Sequence, residues 1–523
     1  MSFVSLEFLL LLLSLFVLYF LSAKLFPKLQ WGVLLLASVI FYYWVMREYT
    51  LYLMLYILTA WLCGISIEKI GNKYLENRIN NGSEEEKQHL KIITSFLQKL
   101  TLTLAIILML GCLLLVKCKG FFLSDFPEGA AQWLIMPLGI SFFAFLNIGY
   151  CVDIYRGTAK AENNPLKYAL YVSYFPHILQ GPLDRFDTLS PQLFSVHDFS
   201  GDKFKSGLER MLIGYFKKLA VANNLGMFVD STYAVPSERS GIVLVLATLA
   251  YAMQIYADFS GYMDIVCGIS ECLGIRIEEN FKTPYFSESI AEYWRRWHIT
   301  LGAWFRDYLY YPILRSEAFR CLSKRLRSQR KKKLAKILPT SLGLLITWFL
   351  IGFWHGNSWN FIVHGLYHGC FIISSTMLAD FYGTLRTKSR ISEDAFSWHL
   401  FKKVRTFLLV CIGYVFFRAD SLRTALTIYK RIFSDFFYEG WSIGFYNEKF
   451  DAFFWIAMLV LALLIVMLDI VSEKKGNFVS WLNRQKLPLR WCILYFLMLS
   501  TLCMIVFSDV KAAGAGNFIY YNF

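Results

Sequence analysis

Two histidines, His364 and His368, stand four residues apart in an otherwise apolar stretch, and a third, His298, sits among Trp and Arg residues. Imidazole exchanges a proton near neutrality, so histidines in such surroundings are the first candidates for general acid or base work. The HxxxH spacing places His364 and His368 on one helix face, as a metal site would require. No glutamate stands between them and no third ligand is close in sequence, so metal binding is set aside and His364 reads as a structural neighbour. Gly365 and Gly369 flank His368 and let a backbone or a ligand approach closely. The competing reading is a core histidine bonded to a neighbouring carbonyl.

His298 belongs to Trp294-Arg295-Arg296-Trp297-His298, followed by Thr300, Trp304, Arg306, Asp307 and Tyr308. If helical, Trp294, His298, Leu301 and Phe305 share one face, which would turn the imidazole inward and leave Arg295, Arg296 and Arg306 for phosphates. An interfacial anchor meeting lipid headgroups explains the same residues. Upstream, Gln254, Asp258 and Asp264 interrupt an apolar helix. Gln254 and Asp258 lie one turn apart, as the wall of a polar channel or as a structural hydrogen-bond network. Phe175 to Pro182 reads as a tight buried turn, with His177 a structural residue. No serine-hydrolase elbow, Walker loop, dinucleotide fingerprint or CxxC pair stands in usable context. What remains is general acid and base chemistry by buried histidine, or proton-coupled transport.

These residues must be held by membrane helices. The chain is 56% hydrophobic and 18% aromatic, too apolar for a soluble domain of 523 residues. Apolar windows begin near Ser5, Trp31, Leu51, Leu100, Trp133, Gly241, Pro339, Trp359, Arg405, Phe453 and Leu489, which predicts an all-α polytopic protein with about 11 transmembrane helices. Between Asn164 and Tyr233 the runs are short and broken by Pro165, Pro176 and Pro182, as interfacial or buried helices would be. The chain reads as one membrane domain over 1–523, with N-terminal spans to 160, a core holding the site over 161–380, and C-terminal spans from 381. A formal charge of +15 fits anionic lipid at the cytoplasmic surface, and no nucleic-acid module is visible. The eleven cysteines lie mostly in apolar runs and read as small core residues.

Ten Lys or Arg against one acidic residue between Arg315 and Lys336 make that loop cytoplasmic. Two crossings follow, Pro339 to Trp354 and Trp359 to Leu378, and the turn from His355 through Asn357 to Ser358 falls outside. His368 lies nine residues into the returning helix, ~14 Å at ~1.5 Å per residue, or about half of a ~30 Å hydrocarbon slab. An ionisable group at that depth faces a polar interior or pathway.

The stretches Tyr174 to Pro182, Tyr256 to Asp264, Asn280 to Phe286, Tyr293 to Tyr311, and Gly352 to Gly356 through Gly365 to Gly369 resemble the membrane-bound O-acyltransferase superfamily. Within it they are similar to alginate O-acetylation proteins and to the D-alanyl transfer proteins of teichoic acid modification. The likeness runs nearly end to end, including Phe416 to Ala419 and the ending Phe518 to Phe523, and with the chain length it favours the alginate branch. The resemblance implies a ring of helices, some re-entrant, around a central tunnel. It implies a catalytic histidine at His368 and a second active histidine at His298. Gln254, Asp258, Asp264, Trp294, Arg295, Arg306, Asp307, His355, Asn357 and His364 are then candidates to line the tunnel or touch substrate.

The expected reaction moves an acyl group, acetyl first, from a cytoplasmic thioester to hydroxyls of a surface polysaccharide, directly or through a secreted or periplasmic acyltransferase partner. The donor is acetyl-CoA or a phosphopantetheinyl carrier protein, used as substrate, with no permanently bound cofactor. His368 would act as general base, and His298 would orient a reactant or stabilise the oxyanion. The expected location is the bacterial cell membrane. D-alanyl transfer to teichoic acid is the alternative within the family. A proton-coupled transporter or flippase is the alternative outside it, although no internal repeat is evident.

Overall fold

In lipid a backbone must close its own hydrogen bonds, so long apolar segments are forced into helices. The computed structural model describes residues 3, 5–79, 83–117, 137–390, 392–437 and 450–507. Among them, eight helices are long and apolar enough to cross a membrane, and nine if one bent pair counts as a single span. The chain separates into two compact units, residues 1–208 with 266–278, and residues 209–265 with 279–523.

The first unit holds α1 (Leu6–Leu25), α2 (Gln30–Met46), α3 (Thr50–Ile79), α4 (Glu84–Lys117), α5 (Ile140–Tyr155), α6 (Pro165–Ser173) and α7 (Phe186–Phe194). The expected span from Trp133 falls partly outside the described residues, and its described part is the 16-residue α5. Helices α3 and α5 approach closely at Gly64, where a Cβ would sit 2.7 Å from Ile154 Cδ1. His177 is fully buried, with Nε2 2.8 Å from the Tyr171 carbonyl and Nδ1 3.7 Å from Asp184, in keeping with a structural turn residue.

In the second part of the chain, α8 (Gly201–Tyr215) runs through a π-helical turn, Phe216–Ala222, into α9 (Asn223–Tyr233), and α10 (Gly241–Cys272) follows. Two thirds (67%) of the apolar window of α10 is buried, against 17–39% for the other candidate spans, so α10 is an internal post. Next come the short α11 (Ile290–Arg296) and α12 (Ile299–Phe305), then α13 (Glu317–Ser328), α14 (Lys332–His355) and α15 (Trp359–Met377). The basic stretch expected as a loop is thus mostly helical: α13 is amphipathic, and the start of α14 carries the remaining lysines.

Helix α15 bends by 64° into α16 (Ala379–Lys388), and only the two together pass as a span. The segment expected to cross from Arg405 forms the end of α17 (Phe396–Arg418), whose Lys402, Lys403, Arg405 and Arg418 keep it off the list of apolar spans. Then follow α18 (Leu422–Ser434), α19 (Ala452–Lys475), α20 (Phe478–Asn483) and α21 (Leu487–Phe507). The C-terminal motif from Phe518 lies outside the described residues.

Candidate active site

The hairpin of α14 and α15 is built on glycine. A Cβ on Gly365 would lie 2.3 Å from the Trp348 carbonyl oxygen, one on Gly369 2.8 Å from Trp348 Cβ, and one on Gly352 2.6 Å from the Phe361 carbonyl oxygen. Missing side chains therefore let the two backbones touch, as small residues do between membrane helices. That contact pushes the Trp348 ring against His368, with centroids 6.2 Å apart.

His368 is the tenth of the 19 residues of α15 and is wholly buried. Around it stand Trp294 (5.1 Å, edge-on), Tyr293 (6.4 Å, stacked), Tyr367 (5.2 Å) and His364 (4.6 Å). Both its ring nitrogens are buried without a hydrogen-bond partner. Native interiors satisfy nearly all such atoms, so an imidazole left unsatisfied on both sides requires an explanation. The bland alternative, a core histidine tied to a carbonyl, describes His364 instead: its Nδ1 lies 2.9 Å from the Gly413 carbonyl oxygen and must donate to it.

The wall opposite α15 comes from α11. Ser289 caps this helix by accepting from the Glu292 amide at 3.1 Å, and Glu292 accepts in turn from the Glu288 amide at 2.9 Å. Arg296 closes the other end on Glu292 and Glu473, both at 2.8 Å. Residues 280–283 run antiparallel to 296–299, with Phe281 bridged to Trp297, the Lys282 amide donating to the Arg296 carbonyl, and Asn280 Oδ1 accepting from both the amide and the hydroxyl of Thr300.

This knot breaks the helix expected through Trp294 and His298. His298 sits at the start of α12 with φ +47° and ψ 53°, so it does not share a continuous helical face with Trp294. Its buried ring packs on Phe259 at 4.8 Å and faces Trp354 at 6.5 Å.

A chain of tyrosine hydroxyls fixes the remaining side. Tyr293 Oη lies 2.6 Å from Tyr414 Oη, which is 3.3 Å from Tyr285 Oη, and Tyr285 donates to the Ala252 carbonyl at 2.5 Å. From the turn between α14 and α15, a row of rings leads to His368: His355 to Phe417 at 5.1 Å, Phe417 to His364 at 5.0 Å, and His364 to His368.

The other expected residues lie apart from this cage. Asp258 is in a buried ion pair with Lys218 at 2.5 Å. Asp264 accepts from Lys217 at 2.7 Å and Arg210 at 3.2 Å, while Arg210 also grips Glu279. Gln254 is buried, its amide nitrogen 2.8 Å from where a Gly226 Cβ would be. Arg295 and Asn357 are exposed, and Arg306 pairs with Asp307 at 2.9 Å on a π-helical turn. Residue types alone did not single out Tyr285, Trp348, Gly413, Tyr414 or Lys218. The tyrosines meet across more than a hundred residues of chain, which no local spacing reveals.

The model of the membrane-bound O-acyltransferase family matches residues 159–417, the stretch that contains α11, α14, α15 and both candidate histidines. Residues 159–417, about half of the chain, form a membrane-bound O-acyltransferase family region. Similar proteins include the "Probable alginate O-acetylase" of Pseudomonas syringae pv. tomato, 35% identical over 329 residues that cover 63% of this chain and 57% of that protein. The peptidoglycan O-acetyltransferase of Helicobacter pylori is 31% identical over 64% of each chain, and the teichoic acid D-alanyltransferase of Bacillus subtilis 27% identical over 58% of this chain and 74% of its own. The chain thus spans less than two thirds of the alginate O-acetylases it matches, and the aligned region is narrower than the end-to-end likeness expected from motifs. Within the matched region, the cage around His368 brings together three buried ring nitrogens without a hydrogen-bond partner, both of His368 and that of Trp294.

Proposed function

We propose that this protein, with its membrane-bound O-acyltransferase region, transfers an acyl group, acetyl by its likeness to the O-acetylases, from a cytoplasmic thioester to hydroxyls of an extracytoplasmic polysaccharide, directly or through a secreted partner. The observation that carries the reading is the unpartnered imidazole of His368 in the middle of α15. An alcohol is a poor nucleophile at neutral pH, and a neutral buried imidazole can accept its proton as it attacks the carbonyl. The thioester brings its own leaving group. Acetyl-CoA or an acylated carrier protein would reach the site from the side bearing α13, whose basic face suits the cytoplasmic leaflet of the cell membrane.

Replacing His368 by Ala in cells that carry the protein, followed by mass spectrometry of their surface glycans, tests the reading. Polymer retained with its esters lost supports transfer, whereas loss of polymer export supports a transporter. Unchanged acylation by a folded variant overturns the assignment. The likeness to the teichoic acid D-alanyltransferase favours a second reading, and the same spectra decide it, since an alanyl ester differs in mass from an acetyl ester.

A further inference from the structure

We propose that Trp294 is a catalytic residue whose indole N–H donates a hydrogen bond to the oxygen of the reacting thioester carbonyl. This assignment rests on the acyl-transfer reading and deepens it. Indole nitrogen can only donate, and Trp294 Nε1 is buried with no hydrogen-bond partner. It shares that state with both nitrogens of His368, whose ring it meets edge-on at 5.1 Å. A proton acceptor and a proton donor, both unsatisfied and in contact, are what an addition to a carbonyl requires: one takes the hydroxyl proton, the other meets the charge that develops on oxygen.

The neighbouring polar groups are already committed. Tyr293 is bonded to Tyr414, Tyr367 donates to the Leu409 carbonyl at 2.8 Å, and His364 is held by Gly413. His298, which the family resemblance suggested for orienting a reactant or for the oxyanion, packs on Phe259 and faces Trp354.

Accessibility points the same way. His368 and Tyr293 are sealed, at 0% and 1% exposure, but the Trp294 side chain is only half-buried, so its ring lies between the cage and accessible space. The Trp348 ring at 4.8 Å backs it, and the capped and clamped α11 carries it, so the N–H is preorganised. In the step itself the hydroxyl oxygen bonds to the carbonyl carbon and its proton passes to a His368 nitrogen. The carbonyl π electrons move to oxygen, where Trp294 donates. Collapse re-forms the carbonyl and breaks the carbon–sulfur bond, and the leaving thiolate takes the proton from His368.

The test uses the full chain in nanodiscs, with acetyl-CoA as donor and two unreactive analogues: a ketone with CH2 in place of the thioester sulfur, and S-ethyl-CoA, which lacks the carbonyl. Wild type should bind the ketone about tenfold more tightly than the thioether. Trp294→Phe should erase that preference without weakening thioether binding and should lower kcat about 100-fold, the scale of a lost oxyanion donor. Trp294→His, which restores a ring N–H, should recover part of both.

A folded Trp294→Phe protein that keeps the wild-type rate, or the ketone preference, overturns the assignment while leaving acyl transfer intact. If both variants fail to fold by circular dichroism, the indole is a packing residue and the assignment falls. Wild type that neither transfers from acetyl-CoA nor binds either analogue overturns the acetyl-transfer reading and this assignment with it.

Discussion

The Nε2 atom of His368 lies 2.8 Å from the point a Cβ on Gly413 would occupy, and Tyr367 Cε1 lies 3.2 Å from it. Gly413 therefore keeps open the space at the nitrogen that, in the proposed acyl transfer, meets the hydroxyl, while its carbonyl holds His364. Gly413→Ala should displace the imidazole by several tenths of an ångström. A misplacement of about 1 Å can cost about 100-fold in rate, so this smaller shift should lower transfer by about tenfold with little change in melting temperature. Radiolabel transfer in membranes and a detergent melt measure the two, and full activity would mean that His368 tolerates a different position.

His298 adopts a left-handed conformation that costs a non-glycine residue about 1 kcal/mol, yet it is not glycine. A residue kept against that cost is kept for its side chain. Asn and Gly both accept this conformation, so His298→Asn and His298→Gly should fold at least as stably as wild type and lose most transfer activity. A stability loss larger than the activity loss, read from thermal melts beside kcat, would make His298 a packing residue.

Gly365 meets backbone, not a flexible side chain: the Trp348 carbonyl oxygen lies 2.3 Å from its would-be Cβ. Gly365→Ala must force α14 and α15 apart, at a cost of about 1–3 kcal/mol for overpacking. Melting temperature should drop, and Trp348 fluorescence should change as its ring leaves His368. A variant with wild-type stability would show that the hairpin can slide.

Much of this arrangement was legible in the sequence, for physical reasons. Long apolar windows identify α14 and α15, and the turn between them places His368 mid-helix by counting. Prolines accompany the short helices between Asn164 and Phe194, but the expected interruption does not extend to Tyr233, because residues 201–233 contain no proline and run as one helical stretch through the π-helical turn. The break at His298 was not legible, because its helical periodicity continues through a left-handed residue that is not glycine. Lys217 and Lys218 look like an ordinary surface pair, and only the π-helical turn Phe216–Ala222 directs both inward, to Asp264 and Asp258. So Asp258 and Gln254, which spacing allowed as either channel wall or structural network, divide: Asp258 is built into an ion pair.

That pair is 3% and 1% exposed, which sets its energetics. Removing one partner leaves an uncompensated buried charge, so Lys218→Met or Asp258→Leu alone should destabilise by about 3–5 kcal/mol. The double variant should recover most of the loss, because two apolar residues of similar size need no desolvation. Detergent melts of all four proteins measure the coupling. Strictly additive losses would show that each residue depends on other partners more than on this one.

Glu288 precedes the cap of α11 and ties it to α17, accepting from His399 at 2.6 Å and from Lys402 at 2.5 Å, while Arg405 donates to its carbonyl at 2.7 Å. Partial burial works against its charge, but the hydrogen bonds from Lys402 and His399 outweigh that and hold the carboxyl below its ordinary value of 4.5. A carboxylate whose folded value is depressed contributes stability above its unfolded value and loses it as pH falls through the folded one. Glu288→Gln should therefore lower the melting temperature at pH 7, with a contribution of about 1 kcal/mol or less after solvent screening. The difference from wild type should shrink as pH drops below 4.5. Because α11 carries Trp294, transfer at pH 7 should fall further in Glu288→Gln than stability alone requires. A gap between the two melting curves that is constant from pH 7 to pH 4 would show that the carboxylate charge does not clamp α11 to α17.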